Sequence, residues 1–477
     1  MDRKYWLSAR CALAIIGGAL GALMLGGCVM GTDGMAPVAP ASAPTSAPAN
    51  TSVVESPEAL ANRMADAYIR LTLEAGSHEG DYVDAYYGPA EWRTAANAHP
   101  RSPAELAVAA RALIAEIDAA LATRAFAGPP ATGSQRARLI ALRGMLHAAD
   151  TRLQMLGGRQ YRFADEATGL FATNPTLEPL SHYDRVLAGL DHLVPGEGPL
   201  AARVDAFYDR YTIPPDKVRT VLEAAIGECR RRTMAHMRLP EGESFTLELV
   251  TNKPWSGYNY YQGNFHSLIQ VNTDLPIRIS RAVDLGCHEG YPGHHVLNMM
   301  IEQNLVRTRH WQEFTVNPLY SPQSVIAEGS ANYGIDLAFP GEEKLAFERD
   351  VLYPLAGLDP ASAEDFARVS AATDALGGAR LTIAKMYLDG EISRERAIEL
   401  SQHYLLLSPA RAEQSMGFTD HYRSYVLNYG WGRDLVHRAV EAGDADAATR
   451  WARMQRILSE PTFPADLVAM EARAARR

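Results

Sequence analysis

The chain has few of the features that would mark a small secreted scaffold or a nucleic-acid binder. Its 477 residues include four cysteines, Cys11, Cys28, Cys229 and Cys287, too few for a disulfide-framed fold. Beyond the N-terminal segment they allow one pairing, Cys229 with Cys287. Nothing in the spacing calls for that bond, and Cys287 reads as a small packed residue. Long runs of one charge sign are missing, and 56 acidic residues outweigh 46 basic ones for a net charge of −10. That balance offers no phosphate-binding surface, so nucleic acid is not an expected partner. No repeat of fixed period occurs. The uncharged run at 11–27 falls short of the roughly 18–20 residues that a membrane-spanning helix needs. With 47% hydrophobic residues, the chain can still bury a sizeable core, which excludes a disordered tail.

What is present begins with an address. Arg3 and Lys4 precede the apolar run, the arrangement of an export signal. The run ends in Leu25-Gly26-Gly27-Cys28, which resembles the bacterial lipobox, where small residues permit cleavage and the cysteine takes up lipid. Val29 after Cys28, by the same resemblance, favours the outer membrane, facing the periplasm. The expected organisation is a signal peptide over 1–28 with Cys28 as the lipid attachment, a Pro/Ala/Ser-rich tether over 29–54, and a folded body over 55–477. Contact with the membrane would then run through the lipid anchor only.

The body reads as mainly α with a small β-sheet. Helical periodicity predicts helices at 59–75, from Pro103 behind the capping box Ser102-Pro103-Ala104-Glu105, at 134–156 with a stop at Gly157-Gly158, at 215–237, 362–387, 394–406 and 442–458. Alternation predicts strands at 245–250 and 266–272, separated by an aromatic stretch holding Tyr258, Tyr260, Tyr261 and Gly263.

The most informative segment comes after the strands: Cys287-His288-Glu289-Gly290-Tyr291-Pro292-Gly293-His294-His295, expected within a helix starting near Ile279. In the zinc motif HExxH two histidines one turn apart bind the metal from one helix face, and the glutamate between them polarises water. Here the second histidine comes late. At about 100° per residue a partner six positions on points roughly 120° away, and one seven on lies about 10 Å along the axis. Pro292 removes a hydrogen bond and clashes with the carbonyl of His288, so the helix must bulge or break. That distortion can return either His294 or His295 to His288. For a third zinc ligand the sequence offers Glu328, in the otherwise uncharged stretch 321–333 behind a Ser321-Pro322 helix start, with Asn332 one turn on where it could hold a histidine ring.

HEGYPGHH followed by AEGSANYG resembles the bacterial DUF885 family, many of them lipoproteins, whose HExxPGHH and downstream EGW-type motifs place them near the gluzincin metallopeptidases. The resemblance covers most of the body from about Ser56, and departs at Ser330, where an aromatic is common. It implies a gluzincin-like, largely helical architecture, one zinc ion per chain held by His288, His294 and Glu328, and Glu289 as general base. It also implies that the strand at 266–272 pairs with the substrate backbone. The segment 418–430 is similar to a late SY-containing segment of the family. There Tyr425 is the first choice to donate to the developing oxyanion, with Tyr429, Arg423 and His421 behind it.

The expected function is a zinc hydrolase, most simply a peptidase of the cell envelope acting on a peptide or small amide. A zinc amidase or deacylase acting on cell-wall peptides uses the same chemistry. A non-catalytic envelope lipoprotein would close the metal with a fourth ligand such as His295 or Cys287.

Overall fold

Helix starts obey the local signals. Ser102 accepts from the Glu105 amide while the Glu105 carboxylate accepts from the Ser102 amide at 2.9 Å, a complete capping box ahead of helix Pro103–Leu121. Ser56 and Ser134 cap helices Pro57–Gly76 and Gln135–Leu156 through their side chains alone, accepting from the Ala59 and Ala137 amides, and Ser321 caps Pro322–Ala338. These elements belong to a computed structural model that describes residues 55–131, 133–253 and 255–474. The predicted export signal, tether and lipid-bearing Cys28 lie outside the described residues.

Among the described residues the architecture is mainly helical, with two small sheets. None of their helices is long and apolar enough to cross a membrane. Two predicted helices are shorter than the periodicity suggests. The stretch 362–387 divides into Ala363–Asp374 and Ala379–Leu388. Gly378, between them, lies so near Tyr183 that a Cβ would sit 2.2 Å from its hydroxyl. The last predicted helix begins at Ala447, not 442, because Gly443 and Asp444 take positive φ and Asp446 caps helix Ala447–Ser459.

Among the same residues, five strands form two sheets. β1 (Val83–Tyr86) pairs antiparallel with β5 (Val316–Pro318). β2 (Ser244–Val250), β3 (Gly257–Gly263) and β4 (His266–Asn272) make the other sheet in the order β2-β4-β3, with β2 and β4 parallel and β3 and β4 antiparallel. The aromatic stretch between the two predicted strands is thus itself a strand. This order corrects the expectation for β4. Its hydrogen-bonding groups are taken up on both sides, so it cannot add a substrate strand; β2 and β3 are the edges.

Close backbone packing sets the frame of the site. A Cβ on Gly329 would meet the Gly432 carbonyl at 2.5 Å, so only glycine lets helix Pro322–Ala338 lie this close to Leu427–Glu441. Gly286 similarly rests against the backbone of Ile226 in helix Val218–Met234. That approach brings Cys229 and Cys287 to a Cα separation of 5.4 Å, and they form a disulfide. Cys287 is therefore not the free packed thiol read from the sequence. The crosslink spans 58 residues and anchors the chain one residue before His288; lost chain entropy in the unfolded state makes such a bond worth about 4 kcal/mol.

Candidate metal centre

The HEGYPGHH segment breaks where its proline sits. Helix Ser280–Leu285 widens into a π-type turn over Gly286–Gly290, closed by the Tyr291 amide on the Gly286 carbonyl. The chain then extends at Tyr291, and a new helix, His294–Ile301, starts behind Gly293. His288 and His294 meet across this break. Their Nε2 atoms are 3.1 Å apart, with the rings edge to face.

Glu328 reaches them from helix Pro322–Ala338. Its Oε2 is 3.4 Å from His288 Nε2 and 3.7 Å from His294 Nε2. The other oxygen, Oε1, accepts from the Tyr425 hydroxyl at 2.9 Å. Oε2 is buried and has no hydrogen-bond partner, an arrangement that costs free energy unless a cation completes it. Burial alone would raise the Glu328 carboxyl, but the closeness of His288 and His294 holds it below its ordinary value. Burial pushes His294 down to about 4, so its imidazole is neutral at physiological pH, the form that ligates a metal. Two imidazole nitrogens and one carboxylate oxygen facing a common point, one of them orphaned, fit a zinc ion with an open position.

Glu289 stands beside the trio, 5% exposed. Burial and the nearby Glu328 push its carboxyl up to about 7 against the pull of His288. Edge strand β3 holds it in place: the Asn259 side chain donates to the Glu289 carbonyl at 2.6 Å. A Cβ on Gly257 would sit 2.9 Å from Glu289 Oε1, so that close approach requires glycine.

The remaining sequence candidates part company. His295 is fully buried and faces away from the trio, with Nε2 3.1 Å from Glu243 Oε2 and Nδ1 2.7 Å from Ser267 Oγ. Ionised Glu243 can only accept, so Nε2 carries the proton and Nδ1 accepts from Ser267. Asn332 does not hold a histidine ring as expected; its amide donates to the Glu328 carbonyl one turn back. Arg423, expected near the oxyanion, is paired with buried Glu166, and His421 faces Asp81 at 3.0 Å. The hydroxyl of Tyr425, the first choice of oxyanion donor, donates to Glu328 Oε1. Tyr429 is 36% exposed as a residue, but its hydroxyl end is buried with Glu328 and Glu289 close by, which pushes it well above the usual tyrosine range.

Glu243 escaped sequence reasoning because it lies 52 residues from His295. It accepts from Tyr291 at 2.5 Å and from Arg230 at 2.8 Å, besides His295, and so ties the segment on either side of Pro292 to β2. Although burial opposes it, the partners led by His295 hold its carboxyl down at about 2. A carboxyl depressed in the fold contributes stability above its ordinary value and loses it as pH falls. We expect on the order of 2–3 kcal/mol from this group at neutral pH, lost between about pH 4.5 and pH 2. In thermal melts across that window the wild type should lose more stability than Glu243→Gln; parallel curves would show that the carboxylate is not braced as described.

No family model matches the chain, and no curated protein matches it. Solved structures similar to it include a candidate lipoprotein of Colwellia psychrerythraea, 14% identical with a TM-score of 0.45, matched over 76% of this chain and 66% of that one. A candidate lipoprotein of unknown function from Shewanella oneidensis is 12% identical with a TM-score of 0.43, over 88% of each chain. An M32 carboxypeptidase of Deinococcus radiodurans is 12% identical with a TM-score of 0.37, over 86% of this chain and 95% of that one. These likenesses lie below the level at which a fold match informs function, so the functional reading rests on the site itself.

Proposed function

We propose that the protein is a zinc-dependent hydrolase of the cell envelope, a distant relative of the gluzincin-like DUF885 proteins, that cleaves peptide bonds. The observation that carries this is the convergence of His288 Nε2, His294 Nε2 and the orphaned Glu328 Oε2, with Glu289 next to them. His288, His294 and Glu328 would hold the ion. Bound there, zinc supplies the acidity that makes water a nucleophile near neutral pH and polarises a carbonyl.

The protein's own groups do the rest. Glu289, buried beside the three donors, takes a proton from the attacking water and returns it to the leaving amine. Tyr425 holds the Glu328 carboxylate in orientation through its second oxygen. Tyr429, whose hydroxyl is not engaged by a carboxylate as that of Tyr425 is, donates to the developing oxyanion. Envelope placement is supported by the Cys229–Cys287 disulfide beside the motif, since such bonds persist in oxidising compartments. Attachment through lipid on Cys28 is part of the same proposal.

Metal analysis tests this reading directly. The purified protein should carry about one zinc per chain, and His288→Ala should carry almost none, since three protein ligands are needed to retain it. Chelation should abolish cleavage of a mixed peptide library, and added zinc should restore it. One zinc without peptide cleavage would move the reading to an amidase or deacylase, or to a non-catalytic site; no zinc would overturn it.

A further inference from the structure

The segment that carries both histidines has little of its own to hold it. Helix Ser280–Leu285 gives way to the wide turn over Gly286–Gly290, closed by the Tyr291 amide on the Gly286 carbonyl at 3.3 Å. Metal-bound histidines commonly donate from their second ring nitrogen to a carboxylate or carbonyl that fixes the ring. Among the described residues, every polar contact of the His288 and His294 rings runs through Nε2. Their direction is therefore set by the backbone that carries them.

That backbone is braced at one residue. Cys287 directly precedes His288, and its carbonyl accepts at 3.0 Å from the amide of Gly293, which directly precedes His294. The Cys287 side chain is bonded to Cys229 of helix Val218–Met234, whose Val221, Leu222, Ala225 and Ile226 are all buried. Both cysteines are fully buried as well. On the far side of the two ligands, His295 is held by Glu243. Without the sulfur–sulfur bond the segment still packs through Gly286 on Ile226. The fold can then persist while Cys287, and with it both ligands, gains freedom.

We infer that Cys229 and Cys287 form a redox-controlled positioning pair for the metal centre. With the bond formed, His288 and His294 are set for zinc; with two free thiols the folded protein binds zinc weakly and is inactive. A chain that has not reached an oxidising compartment is thus kept from cleaving peptides. The step is a thiol–disulfide exchange: a small disulfide takes two electrons from the pair, the Cys229–Cys287 bond forms as the oxidant's own sulfur–sulfur bond breaks, and the oxidant leaves as two thiols carrying the two protons. This rests on the reading of His288, His294 and Glu328 as zinc ligands.

The test compares three preparations of the full-length protein: wild type with the bond formed, wild type unfolded and refolded in a phosphine reductant, and Cys229→Ala/Cys287→Ala. Alkylation and mass measurement count free thiols, melting of the zinc-free forms reads the fold, and competition with a chromogenic chelator reads zinc affinity. Zinc affinity should fall about 10–100-fold in both unbonded forms, the loss that follows when groups orienting a metal ligand are removed. Glutathione disulfide should restore the reduced wild type and leave the double variant unchanged.

A crosslink with only a structural role lowers the melting temperature of the unbonded forms and leaves zinc affinity where it was; that result overturns the inference. So does reoxidation that fails to recover affinity, or failure of both unbonded forms to fold, since the bond would then serve the whole fold. The two readings fail separately. Thiol-dependent zinc binding without peptide cleavage keeps the positioning pair and sinks the hydrolase, whereas cleavage equal in bonded and unbonded forms does the reverse. A bonded wild type that binds no zinc overturns both.

Discussion

Replacing Glu289 by glutamine lowers kcat by about 10²–10⁴-fold and leaves zinc content near one per chain. The magnitude is that of a general base removed from a proton transfer in the transition state. Zinc should survive because the side chain is not one of the three converging donors, and glutamine preserves its volume in a site that is 5% exposed. The amide also leaves intact the backbone contact that anchors the residue, since Asn259 donates to the Glu289 carbonyl and not to its side chain. A variant that lost both metal and activity would show that the carboxylate supports the site structurally. One that kept full activity would remove Glu289 from the mechanism.

Among the described glycines, Gly293→Ala should be the most damaging single-methyl change. A Cβ there would lie 1.8 Å from the His288 carbonyl oxygen and 2.4 Å from that of Cys287. Both are backbone atoms in a turn pinned by the Cys229–Cys287 disulfide on one side and by the Glu243 network on the other. No side chain can swing away to make room. The turn must open, and with it goes the hydrogen bond from the Gly293 amide to the Cys287 carbonyl, now 3.0 Å. Because His294 is the next residue, its separation from His288 opens too. We expect a loss of at least about 3 kcal/mol, at the upper end of overpacking effects, together with loss of bound zinc. Thermal denaturation and metal content measure these separately. A variant that melts with the wild type and retains zinc would mean that the turn does not pass where it is described.

How much of this could be read from the sequence depended on how far each signal reaches along the chain. The cap at Ser102 and the stop at Gly157 act within one helical turn, and both are found where expected. Gly377-Gly378 lies inside an apolar period that runs across it, and the tight approach of Gly378 to Tyr183, nearly 200 residues earlier, leaves no local signal. β3 reads from the sequence only as an aromatic stretch, since Gly257 and Gly263 bound it and apolar and polar residues do not alternate along it.

The same distinction runs through the site. His288 and Glu289 are adjacent, and Pro292 announced that the helix could not continue, so the donors and the break were both legible. The choice between His294 and His295 was not. The two differ by about 100° around one helix, and what turns one inward is that Glu243 and Ser267, far off in the chain, hold the other. Tyr425 looked like a free donor until the fold set Glu328 against its hydroxyl.

By itself, the sequence determined the residue types of the chemistry and the place where a regular helix must fail, because both depend on contacts within a few residues. Tertiary structure alone decided which histidine faces Glu328, which tyrosine is left free, and that Cys229 and Cys287 meet. Those outcomes depend on approaches such as Gly329 on Gly432 and Gly286 on Ile226, where the lack of a side chain lets two distant segments come within van der Waals contact.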